Sequence, residues 1–228
     1  MEKKPILIAC YSPKGGTGKT TISTQLATSA RILGKNVCFY DLDPQLSATE
    51  YFNSIGEKFR PQQIESDFNV PPKEGTNFVF LDCEPSSLRF VPPKDFLIIA
   101  PTLASRLDLH AYRHILELEK NGYKVIRVIN QYSMVRNDDA DTLKALNPCC
   151  VISQNSAIKT AMNNKNTICN SNHPNGKRAE YQLRYLIERI IEGYAEELTN
   201  NDITRIGLLG KKWLWTTKKI IHQAGLKK

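Results

Sequence analysis

The chain has 228 residues, of which 41% are apolar and 24% charged, with 31 Lys and Arg against 23 Asp and Glu for a formal charge of +8 at pH 7. That length suits one globular domain with a sizeable core, and the composition excludes a disordered polymer or a fibrous repeat. The longest apolar runs fall far short of the roughly 20 residues that span a bilayer, so no integral membrane protein fits. The first apolar run, Ile6 to Cys10, stops at a Ser-Pro-Lys-Gly turn without a small-residue cleavage pattern, and a cytoplasmic location is expected. Further short runs follow at Asn36 to Tyr40, Phe78 to Leu81, Phe96 to Ala100, Val125 to Ile129 and Cys149 to Ile152. They are continuous rather than alternating, as for strands buried on both faces. Between them lie helix-period segments: Thr20 to Leu33 closed by Gly34, Leu107 to Lys120 closed by Asn121-Gly122, and Asp138 to Leu146 stopped by Pro148. Residues 53 to 77 read as an irregular connection with Pro61, Pro71, Pro72 and Gly75. The alternation predicts an α/β fold with a doubly wound, mostly parallel sheet and helices on both sides.

The six cysteines are scattered, with no C-x-x-C pair and no spacing that would build a zinc site, so reduced, buried thiols are expected. The positive charge is concentrated at the end of the chain: from residue 201 onward there are Arg205 and six lysines against only Asp202. This divides the chain into a body, 1–200, and a basic extension, 201–228. As a helix, residues 205 to 226 would gather Ile206, Leu209, Trp213 and Ile220 on one side and Lys211, Lys212, Lys218 and Lys219 on the other. Such a face could bind DNA phosphates, settle in an anionic lipid headgroup layer, or be an ordinary solvated surface.

The first strand runs directly into Ser12-Pro-Lys-Gly-Gly-Thr-Gly-Lys-Thr-Thr21 and a helix. Gly15, Gly16 and Gly18 leave room for backbone N–H groups to turn inward beside the helix N-terminus, which is a polyphosphate cradle. Lys19 would reach the β- and γ-phosphates, and the Thr20 hydroxyl would ligate Mg²⁺. The strict pattern G-x-x-x-x-G-K-[ST] fails, because Pro13 stands where its first glycine belongs. What remains, K-G-G-T-G-K-T, resembles the deviant Walker A loop of the ParA/MinD family of P-loop ATPases. Asp41-Leu-Asp-Pro-Gln45 resembles that family's first switch, and Phe78-Val-Phe-Leu-Asp82-Cys-Glu-Pro85 its Walker B strand and second switch. Pro101 to Ser105, Val128-Ile-Asn130 and the block from Val151 to Ile168 extend the likeness over residues 5 to 198. At Ser153-Gln154 the chain departs from the family's Pro-Arg.

The resemblance implies ATP and Mg²⁺ as ligands. The nucleotide would be held by Lys14, Gly15, Gly16, Thr17, Gly18, Lys19, Thr20 and Thr21, with Asn130 against the adenine. Thr20 and, through a water, Asp82 would hold the metal, and Asp43 would orient the attacking water. Lys14, the family's second loop lysine, would cross a two-fold interface to the nucleotide of a partner subunit, making ATP a dimer switch with Lys14, Lys19 and Asp43 as the catalytic set. ParA proteins further imply partition of plasmid or chromosomal DNA: a homodimer bound without sequence preference to the nucleoid and discharged by a ParB-like, centromere-binding activator. The alternative is a MinD-like positioning ATPase that cycles on a membrane, with the basic extension as its anchor.

Overall fold

A computed structural model of the chain describes residues 4–84, 90–132 and 150–170, together with scattered helical positions between 176 and 190. Its centre is a seven-stranded, all-parallel sheet. The strands are β1 (Ile6–Cys10), β2 (Val37–Asp41), β3 (Gln63–Glu65), β4 (Phe78–Asp82), β5 (Leu97–Leu103), β6 (Val125–Tyr132) and β7 (Cys150–Ser153), in the spatial order β3-β2-β4-β1-β5-β6-β7. From β1 the chain winds first toward β3, then returns through β4 and proceeds toward β7. The predicted doubly wound parallel sheet is therefore what the chain forms.

Side-chain alternation along each strand feeds two cores. Ile6, Ile8 and Cys10 of β1, Phe78 and Phe80 of β4, and Leu97 and Ile99 of β5 face one side. There they meet α1 (Lys19–Ile32) through Ile22, Leu26 and Ala30, α2 (Ser47–Ser54) through Ala48 and Phe52, and α4 (Ser156–Asn163) through Ala157 and Ala161. Ala9, Val79, Leu81, Ile98 and Ala100 face the other side, under Tyr112, Ile115 and Leu118 of α3 (Arg106–Lys120). Strands buried on both faces have no polar positions to alternate, which is why their sequences read as unbroken apolar runs.

Helix α1 ends as its sequence predicts. Gly34 takes φ 73°, its N–H donates to the Arg31 carbonyl at 2.9 Å and the Lys35 N–H to that of Ala30 at 3.0 Å, satisfying the last turn. The interior of α1 is unusual in being buried yet polar: Ser23, Thr24, Gln25 and Thr28 are fully enclosed. Their hydroxyls bond back to the helix, Thr24 to the Thr20 carbonyl at 2.7 Å and Thr28 to that of Gln25 at 3.0 Å. Gln25 bridges outward instead. Its amide donates to the Tyr51 hydroxyl at 2.9 Å, its oxygen accepts the Ile168 N–H at 2.9 Å, and Tyr51 donates to the Asn166 carbonyl at 3.0 Å. One buried polar knot thus joins α1, α2 and the 166–170 segment.

The segment expected to be irregular, 53 to 77, instead contains the end of α2, a 3-10 turn at Glu57–Phe59 and the edge strand β3. Its three residues, Gln-Ile-Glu, carry a single apolar side chain, so no apolar run marks them; pairing with β2 at Cys38↔Gln63 to Tyr40↔Glu65 makes them a strand. The outer side of β3 is partly occupied by its own loop: the Gln63 side chain donates to the Pro71 carbonyl at 3.1 Å and accepts the Lys73 N–H at 2.8 Å. Strands β5 and β6 run further than expected, to Leu103 and Tyr132. β5 continues through Pro101, where only β6 lies alongside, because the pairing with β1 stops at Cys10↔Ile99. The expected helix 138–146, Cys149, Pro85 and the whole basic extension with Lys211, Lys212, Lys218 and Lys219 lie outside the described residues.

Candidate functional site: a phosphate loop beside buried carboxylates

The site forms where β1, β2 and β4 end together, the crevice at the carboxyl edge where parallel sheets of this kind place ligands. Register brings Asp41 of β2 opposite Asp82 of β4, and Asp82 opposite Cys10 of β1. The phosphate loop leaves β1 here. It turns through Gly16 at φ 73° and reaches the helix N-cap, Gly18, at φ 94°. A Cβ on Gly18 would lie 2.1 Å from the Asn130 amide nitrogen, so both the backbone angle and the space require glycine.

The two loop lysines part company. Lys19 is buried and folds across the loop, donating to the Lys14 carbonyl at 3.2 Å. Burial lowers its pKa, opposed by the nearby charges of Asp82 and Asp43. Lys14, with 40% of its side chain exposed, turns away and pairs with Asp108 in the first turn of α3. The Asp108 carboxylate is buried and also accepts the Ser105 hydroxyl. A second tie between α3 and the start of the loop is the 3.1 Å hydrogen bond between the Tyr11 hydroxyl and His114 Nε2.

The carboxylates differ in how they are satisfied. One oxygen of Asp41 accepts both the backbone N–H and the hydroxyl of Thr49, at 2.8 and 2.9 Å, which fixes the start of α2; among the described residues its other oxygen has no partner. Among the described residues neither oxygen of Asp82 receives a well-formed hydrogen bond, although the group is buried. The neighbouring Ser23 hydroxyl is directed at the Thr20 carbonyl, at 3.1 Å. Burial pushes the Asp82 carboxyl up to about 7; Thr20 beside it works in the opposite direction, and the Asp41 charge raises it further. Two enclosed carboxylates beside a threonine hydroxyl and one lysine form a hard-oxygen donor set short of positive charge, and a divalent cation fits that deficit. Asp43 is half-buried, accepts the Gln45 N–H at 2.9 Å and lies close enough to Lys19 for its charge to be felt there.

Asn130 ends β6 against the loop, donating from Nδ2 to the Thr17 carbonyl at 2.8 Å, while its Oδ1 accepts the Gln131 N–H at 3.0 Å. Beside it opens a cavity of about 690 Å³ between Thr21 and the ends of β6 and β7.

Residues 8–213 match the model of the CobQ/CobB/MinD/ParA nucleotide-binding domain. The chain belongs to that family. It is 32% identical over 135 residues to the maintenance of carboxysome distribution protein A of Halothiobacillus neapolitanus, covering 53% of this chain and 61% of that relative. The chain thus spans less than two thirds of that relative's length. Its fold matches a variant of Cyanothece McdA in complex with ATP, with a TM-score of 0.64 at 14% identity, over 85% of this chain and 97% of that one. It also matches a plasmid partition protein from Borrelia burgdorferi B31 bound to AMPPNP, with a TM-score of 0.60 at 16% identity, over 86% and 100% of the two chains.

Of the residues expected from sequence, those from Lys14 to Thr21, Asp43, Asp82 and Asn130 gather around one crevice. Asp108 and Gln131 were not singled out, Asp41 was named only as the first residue of the first switch, and Gln154 only as part of the departure at Ser153-Gln154. For Asp108 a signal existed in Ser105-x-x-Asp108, the spacing of a helix-capping box. For Gln131 the signal is conformational, φ 56° in a residue other than glycine, and no sequence pattern announces it.

Proposed function

We propose that the chain is a Mg²⁺-dependent ATP hydrolase that positions or partitions cargo, and that its ATP form is a face-to-face homodimer. The observation that carries this reading is the divergence of the two loop lysines: Lys19 covers the loop while Lys14 points out of it. Lys19 alone meets the needs of a triphosphate bound within one chain, which leaves Lys14 available to a nucleotide on another.

In this reading the loop N–H groups and the α1 N-terminus receive the phosphates, and Lys19 neutralises the terminal ones. Thr20 and, through a water, Asp82 would hold Mg²⁺, which would supply positive charge to the bound phosphates. Asp43 accepts a hydrogen bond from the attacking water and orients it in line with the γ-phosphate. Lys14 exchanges Asp108 for the triphosphate of the partner subunit, so each bound ATP is a contact between two chains and each hydrolysis removes one. Turnover is slow until an activating protein engages the dimer. The basic extension, doubled by dimerisation, holds DNA through phosphate charge alone, and a ParB-like centromere-bound protein supplies the activation. On this reading the protein works on the nucleoid in the cytoplasm. Carboxysome distribution, the task in the relative's name, is likewise a positioning task.

The test is retention on random-sequence DNA with ATP, ADP or no nucleotide, alongside light scattering. ATP alone should produce both the dimer and salt-sensitive DNA binding. Lys14→Ala should still bind ATP and stay monomeric; a normal dimer from that variant would remove the central step.

A further inference from the structure

At the end of α1 remote from the phosphate loop, about 21 Å along the helix, a second cavity of about 570 Å³ opens between the last helical turn and residues 55–64. Its lining includes the buried Ile55 and Pro61 and the half-buried Ile64, so much of its wall is apolar. Gln62 fixes that wall to the start of β2: its N–H donates to the Val37 carbonyl at 3.1 Å, and its side-chain oxygen accepts the Val37 N–H at 2.7 Å. The groove is therefore shaped before anything enters it.

Two arginines line the same groove. Arg31, in the last turn of α1, donates from Nε to the Arg60 carbonyl at 2.8 Å and from Nη1 to the Lys35 carbonyl at 2.9 Å. Both acceptors are neutral, and Nη2 remains uncommitted among the described residues. The Arg60 guanidinium is exposed and, among the described residues, has no partner. Glu57 also lines the cavity, yet among the described residues no carboxylate lies within ion-pair distance of either guanidinium. Lys35 and Lys58 belong to the same two segments, so four cations stand against that one acid. Next to Arg31 the helix ends in Ile32 and Leu33, 43% and 53% exposed, the two most exposed large apolar side chains among the described residues. The helix end does not need them there, because its last carbonyls are satisfied by the backbone through Gly34.

We propose that this groove docks an acidic peptide segment of a partner protein, with a carboxylate held between Arg31 and Arg60 and an aliphatic side chain against Ile55, Pro61 and Ile64. Guanidinium matches carboxylate in shape as well as charge, and Arg31, pinned along one edge by two carbonyls, loses little rotamer freedom when it binds. The apolar wall selects a peptide over other anions. A duplex or a free phosphate has no aliphatic group to fill it, and Glu57 repels both without any such return. The site lies at the opposite end of α1 from the phosphate loop and does not depend on what that loop binds.

The experiment is fluorescence anisotropy of a labelled Glu-Asp-Leu-Glu-Asp-Leu-Glu peptide titrated with the full chain, without nucleotide, in about 0.15 M salt. The wild type should bind it saturably. Arg60→Ala should weaken binding by about tenfold, Arg60→Glu should abolish it, and replacing both peptide leucines by serine should cost about tenfold or more. Arg31→Lys keeps the charge but loses the planar fork, and should weaken binding by about fivefold. Arg60 is exposed and unpartnered, so its variants should melt as the wild type does, which separates lost docking from lost folding. The proposal is overturned if Arg60→Glu binds the peptide as the wild type does, which would place the peptide on another basic surface. It is likewise overturned if the serine peptide binds equally well, if tripolyphosphate or a short random-sequence duplex displaces the peptide more effectively than unlabelled peptide does, or if Arg60→Glu instead dissolves a dimer of the nucleotide-free chain, which would make a second copy the occupant.

Discussion

Asp108→Asn tests the internal pairing of Lys14. Asparagine keeps the shape of the side chain and an oxygen for the Ser105 hydroxyl, and removes only the charge that attracts Lys14. The pair is asymmetric, with side chains 40% and 2% exposed. Its strength therefore falls between a surface ion pair, at most about 1 kcal/mol, and a buried one, several kcal/mol to break. Taking about 1 kcal/mol per chain, releasing Lys14 is worth about fivefold per subunit, and two subunits surrender one pair each on closing, so the dimer should tighten by about 30-fold. Sedimentation velocity across a concentration series with a non-hydrolysable ATP analogue reads this directly, and urea unfolding of the nucleotide-free protein controls for folding. A variant that dimerises at the wild-type midpoint or higher, with unchanged unfolding, would refute the idea that Asp108 competes for the lysine.

Further expectations follow from the same geometry. Gly18→Ala must accommodate both φ 94° and a Cβ 2.1 Å from the Asn130 amide, so it should lose about 2–3 kcal/mol of stability in urea melts and its nucleotide binding together. Gln25→Leu leaves the buried Ile168 N–H without its acceptor and should cost about 1–3 kcal/mol by the same measurement. Because the Asp82 carboxyl is raised from 3.8 to about 7, the folded state binds that proton more tightly than the unfolded state does. Its contribution to stability is therefore present below about pH 4 and lost as pH rises through 7, by up to about 4 kcal/mol. Thermal melts of wild type and Asp82→Asn at pH 5 and 8 should differ in that sense, and Mg²⁺ should restore wild type at pH 8 while leaving the variant unmoved. Asp43→Ala should bind ATP and dimerise but release no phosphate in a coupled assay; normal turnover would assign the water to another group.

The sheet was legible in the sequence because its strands are buried on both faces, and β1, β4 and the P-loop could be placed from their apolar runs and glycines alone. Strand β3 was not, since its strandness comes from pairing with β2 rather than from its own side chains. The same distinction governs the site. Lys14, Lys19, Asp43 and Asp82 follow elements whose order along the chain fixes their place. Asp108 lies 94 residues from Lys14, and nothing local to either predicts that they meet. Asn130 was expected near the nucleotide, but its hydrogen bond to the loop carbonyl of Thr17 was not, a contact over 113 residues that depends on β6 lying two strands from β1.

Gln63 has a consequence for how copies of this protein can meet. By grasping Pro71 and Lys73 with its side chain, it imitates part of a missing neighbour along the outer rim of the sheet. A foreign peptide seeking to extend the ladder there would first have to prise that loop loose. That covered rim gives the sheet protection against growing into fibres from its side.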